Sequence, residues 1–233
     1  ARMFTLGFYR QGWEREPYGV IDPSIGWMQV ETFDPGGWKA NWPNEAFVNM
    51  TVRDGYWGAK LVGSFTDEQV RAAVRAGQLP NEFASDTLAA MLNYRRDRIV
   101  EYWYARVTPV ENPEVLVGQD GGYGFQVAFD DFGIRDGAWS ADGISYDWKL
   151  RHGALKRQWE GVSNAGAGAR QVLALGPPPD ASTPTDGPEA ADGTLATLEI
   201  TVSGREHFEG RPTTVYLHWD TGAGRYRVVG LEH

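Results

Sequence analysis

After an irregular aromatic segment broken by Gly and Pro at residues 1–52, apolar residues recur every three or four positions to about residue 107 and every second position from about residue 115, so helices precede antiparallel strands in this chain. Upstream, Leu88, Met91, Leu92, Ile99, Tyr102 and Trp103 predict one long helix from about Glu82 to Val107, with this stripe buried. Thr66-Asp67-Glu68-Gln69 has the form of a capping box. The helix it opens turns Val70, Ala73 and Val74 inward and is expected to stop at a left-handed Gly77. Residues 53–64 place Tyr56, Trp57, Leu61 and Val62 on one side of a further helix, and Pro43-Asn44 announces a short one at Glu45-Ala46-Phe47. Pro109 and Pro113 are read as the end of the helical half.

Downstream, the alternation predicts strands at Val115–Gln119, Tyr123–Phe129, Ile144–Arg151, Arg170–Leu175, Thr194–Ser203, Pro212–Trp219 and Arg225–Leu231. Gly- and Asp-rich turns separate them, such as Asp120-Gly121-Gly122, Asp136-Gly137 and Asp142-Gly143, while Pro177–Gly193 reads as a mobile loop. The expected fold class is α+β: a Trp-rich helical half, residues 1–112, then an antiparallel β-sandwich of immunoglobulin or fibronectin type, residues 113–233.

Composition narrows the function. The net charge is −9, of which −1 falls in residues 1–110 and −8 in residues 111–233. Such a surface repels phosphate backbones, so nucleic acid is not an expected partner. There is no cysteine, which removes disulfides, thiolate metal sites and cysteine nucleophiles. No apolar run reaches the 18 or so residues that span a bilayer, and no Gly-x-Ser-x-Gly elbow supports a serine nucleophile.

Three groups of residues invite a functional reading. Arg95, Arg96 and Arg98 form the densest basic cluster and can grip a carboxylate or phosphate; ion pairs on a solvated helix face are the simpler account. Trp38 and Trp42, in a segment broken by Gly and Pro, can stack on a glycan or bury that segment against the helices. Asp130, Asp131 and Asp136 can offer oxygens to calcium, although Asp is also what tight turns require. No other cofactor is expected. Asp131-Phe132-Gly133 spells the metal-binding tripeptide of protein kinases, but no catalytic loop or Gly-rich phosphate loop lies ahead of it, and a strand-ending turn explains it. His152, His207, His218 and His233 lack the close spacing of zinc ligands.

Leu6-Gly7-Phe8-Tyr9, Phe33-Asp34-Pro35, Trp38-Lys39, Trp42-Pro43-Asn44, Tyr56-Trp57-Gly58-Ala59-Lys60, the run from Phe65 to Val74, Arg95-Arg96-Asp97-Arg98-Ile99 and Arg227-Val228-Val229-Gly230 together resemble a group of uncharacterised bacterial secreted proteins and lipoproteins. The resemblance implies an extracytoplasmic location, in the periplasm or at the cell surface. It also implies that longer members carry a kinase-like segment upstream, so that no catalytic residue falls within this chain. The leading expectation is a non-catalytic interaction or accessory module of the cell envelope with a protein partner. The alternatives are the C-terminal part of a phosphotransfer enzyme and a glycan-binding module.

Overall fold

Helix starts are fixed by side chains that satisfy the first backbone N–H groups, and this chain carries several. The computed structural model describes residues 21–26, 28, 30–40, 42–117, 125–152, 157–175, 195–205, 208, 210–220, 222–223 and 225–233. The expected loop Pro177–Gly193, the turn at Asp120, the strand ends at Gln119, Tyr123 and Thr194, His207 and the Leu6–Tyr9 run lie outside the described residues. Contacts divide the chain into two compact units, Ala1–Asp34 with Phe65–Arg95, and Pro35–Ser64 with Arg96–His233.

In the first unit, helix α3 (Asp67–Ala76) opens on the expected capping box: Thr66 accepts from the Gln69 N–H, and the Gln69 side chain accepts from the Thr66 N–H. Thr66→Ala is expected to lower stability by about 1 kcal/mol in a urea titration, and Thr66→Ser to keep most of it. The stop differs from expectation. Gly77 is right-handed at φ −72, and the left-handed residue is Gln78 at φ 51. Val74 is buried and Val70 half-buried, whereas Ala73 faces solvent. Helix α4 (Glu82–Tyr104), of which the residues up to Arg95 belong to this unit and the rest to the second, begins where Asn81 Oδ1 accepts from the Ala84 N–H at 2.7 Å. Its buried residues are Ala84, Ala89, Met91, Val100 and Tyr104, which do not lie on one stripe; of the expected positions Met91 is buried, and Leu88, Leu92, Ile99, Tyr102 and Trp103 are only half-buried.

The second unit carries helix α1 (Glu45–Val48), capped by Asn44, and helix α2 (Val52–Gly63). A second capping box, formed by Thr51 and Asp54, opens α2. Tyr56 and Ala59 face the core, and Trp57 and Leu61 face outward, so the expectation that Tyr56 and Trp57 share a side is corrected. Consecutive helical residues point about 100° apart, and here the inward face takes Gly55, Tyr56 and Ala59 and leaves Trp57 outside it. Gly55 settles which side turns in. A Cβ there would meet the Trp103 ring at 2.3 Å, so glycine lets α2 lie on that indole.

The helix-to-strand switch falls between Tyr104 and Val110. The strands are β1 (Val110–Val117), β2 (Phe125–Asp131), β3 (Ser145–His152), β4 (Arg157–Asn164), β5 (Arg170–Ala174), β6 (Leu195–Ser203), β7 (Thr213–Asp220) and β8 (Arg225–Glu232), with a one-turn helix α5 (Phe132–Arg135) after β2. They form two antiparallel sheets, ordered β1-β2-β5 and β4-β3-β6-β7-β8. The architecture is α+β.

Pro113 does not end the helical half but lies inside β1, where the register shifts between Glu111 and Glu114 and Asn112 adopts φ 50. A proline fits there because β1 is the end strand of its sheet and the bulge needs no ladder donor. Strand β4 has no counterpart among the expected strands. It pairs with β3 from Ser145↔Asn164 to His152↔Arg157, and Trp148 sits opposite Gly161. Added carbon at Gly161 would stand 2.6 Å from that indole, so the missing side chain is the seat of the ring.

One apolar core fills the second unit. Val127, Phe129 and Leu173 of the three-stranded sheet join Leu150, Leu198, Ile200, Val215 and Leu217 of the five-stranded one, with Tyr56 and Ala59 from α2 and Val100 and Tyr104 from α4.

Candidate functional site

The acidic turn after β2 is the first place to look for chemistry. Asp131 is fully buried: its Oδ1 accepts from the Ile134 N–H at 3.1 Å, capping α5, and its Oδ2 accepts from the Tyr146 hydroxyl at 2.7 Å. Asp136 accepts from the Tyr104 hydroxyl at 2.7 Å and pairs with Arg135 at 2.6 Å. Asp130 faces Asn112 and Arg170. The expected calcium ligands are thus not brought together. Each carboxylate serves a different set of protein donors, and among the described residues no three His, Asp or Glu side chains gather as a metal group. The tripeptide Asp131-Phe132-Gly133 ends a strand and starts a turn of helix, as its surroundings in the sequence suggested.

Burial pushes Asp131 above the ordinary carboxylate range, and this outweighs the opposing hydrogen bonds from Tyr146 and the backbone of α5. The Trp139 indole lends a weaker downward pull without meeting hydrogen-bond geometry. A folded-state value raised above the unfolded one means that the stability this group contributes is present in acid and lost as pH rises through the folded value. Asp131→Asn, which keeps an acceptor for Ile134 and carries no charge, is therefore expected to match or exceed the wild type in thermal stability at pH 7. Asp131→Ala, which strands two donors, should lose about 2 kcal/mol.

A denser polar constellation surrounds Glu111, at the bulge of β1. Its Oε1 accepts from the Tyr56 hydroxyl at 3.0 Å, from Lys60 Nζ, and faces His233 Nε2 at 3.2 Å. Arg53 reaches Glu232 and the carbonyl oxygen of His233. Burial alone would push Glu111 up; hydrogen bonds from His233 and Lys60, with their charges, win and bring it down to about 2. The same burial, with the Glu111 charge, holds the Tyr56 hydroxyl far above its ordinary value, so it stays protonated and donates.

Thr213, His233 and Glu111 have the residue types of a hydroxyl–imidazole–carboxylate relay, with Thr213 Oγ1 2.9 Å from His233 Nδ1. The geometry does not make Thr213 a nucleophile. Its hydroxyl donates at 2.5 Å to the Thr108 carbonyl, and Thr213 is fully buried, so a substrate would have no approach to Oγ1. What the constellation does is join α2, β1, β7 and β8.

The basic cluster is likewise engaged. Arg95 stacks over the Phe33 ring at 4.9 Å, Arg96 forks onto Asp97 at 2.7 Å, and Arg98 pairs with Glu101 at 2.9 Å. These are contacts within the helix or with a neighbouring ring. Arg96 and Arg98 thus spend their guanidinium groups on the next residue and the next turn.

The two tryptophans stand differently. Trp42 is 83% exposed and Trp38 60%, the latter edge-on to Phe47 at 4.9 Å. Trp57 is 61% exposed, and Phe47, Val48, Met50 and Leu61 are also open to solvent. The segment 38–61 therefore presents large apolar side chains on its outer side while Tyr56 and Ala59 anchor it inside. Sequence reasoning missed Trp57 because it was assigned to the buried side of α2; its i, i+4 partner Leu61 shares the outer face.

No family model, curated protein or solved structure matches this chain.

Proposed function

We propose that the chain is a non-catalytic interaction module of the bacterial cell envelope, and that it meets a protein partner through the aromatic side chains of residues 38–61. The observation that carries this reading is the exposure of Trp38, Trp42 and Trp57 together with Phe47 and Leu61 in one 24-residue stretch. Large apolar groups left in water are costly, and Trp and Met are enriched where protein surfaces meet. The aliphatic neighbours Val48, Met50 and Leu61 favour a protein surface over a sugar, which asks for flat rings flanked by hydrogen-bonding groups. The envelope location rests on the resemblance to secreted bacterial proteins. The shared core of the two sheets supports reading them as a sandwich of immunoglobulin or fibronectin type that serves as the scaffold.

The test is recovery of one partner from the native membrane fraction by the wild type, beside a Trp42→Ala/Trp57→Ala variant of unchanged thermal stability. Loss of that partner by at least tenfold in the variant is the expected result. Equal recovery by both, or a protein that stays alone and monomeric in every native fraction, overturns the reading. Exposed Trp38 and Trp42 also keep a glycan reading in play, and a tryptophan fluorescence change with one polysaccharide of a broad panel would select it.

A further inference from the structure

We draw no further inference here: the strongest candidate, the stack of Arg205 on the buried Trp139 beside Asp131, where Arg205 Nη1 and Trp139 Nε1 both lack hydrogen-bond partners, carries nothing because an enclosed water would satisfy these donors as well as any ligand.

Discussion

Glu111→Gln is expected to cost about 3 kcal/mol of stability, because it removes the charge on which Lys60, His233 and Tyr56 converge and leaves the Lys60 ammonium facing a neutral amide in a mostly buried place. The pH dependence gives a signature that generic destabilisation would not. Glu111 falls to about 2 in the fold from an ordinary 4.5. A folded value depressed in this way contributes stability above the unfolded value and loses it as pH falls through the folded one. The wild type should therefore shed up to about 3 kcal/mol between pH 5 and pH 2, on top of what other carboxylates lose. The Gln variant should lack that component, so the two curves converge in acid. Parallel curves would mean that Glu111 is not held by the cations around it.

The second large effect is at Gly133. A Cβ there would lie 1.9 Å from Cζ2 of the Trp139 ring, an overlap that α5 and the indole cannot both survive unmoved. Gly133→Ala is expected to lower stability by about 3 kcal/mol, the upper end of overpacking costs. A double-mutant cycle separates this contact from a loss of glycine's backbone freedom. Trp139→Ala removes the ring, and in that background the added methyl should cost less than 1 kcal/mol. Non-interacting substitutions would show that Trp139 is not what excludes a side chain at Gly133.

How much of this was legible beforehand depends on the range of the interaction. The Thr66–Gln69 capping box is complete within four residues, so its letters suffice. The Thr51–Asp54 box is just as local, but Asp in the place where Glu or Gln is usual makes its letters a weaker sign. Strand β4 was hidden by Gly161, which breaks the alternation when the Trp148 ring that fills its place comes from another strand. Pro113 looked like a terminator because nothing local reveals that β1 is an end strand with a bulge.

The Glu111 constellation was out of reach for the same reason. It assembles side chains from α2, β1 and the end of β8, and none of those segments carries a sign that its polar residue is destined for the others. The candidate surface was half legible. Trp38 and Trp42 stood out by type, but whether a tryptophan lies inward or outward is decided by packing. Trp57 went to the outside because Gly55 lets α2 settle on Trp103 with Tyr56 beneath.

If buried polar groups maintain the fold and the exposed aromatics of residues 38–61 do the work of recognition, as proposed, then the exposed tryptophans are covered in the native envelope. Hydroxyl-radical footprinting tests this most directly, by comparing oxidation of Trp38, Trp42 and Trp57 in the purified protein and in the native envelope fraction. Protection of these three by severalfold in the native fraction, with the half-buried Trp103 unchanged, is the predicted result. Equal oxidation in both preparations would contradict it.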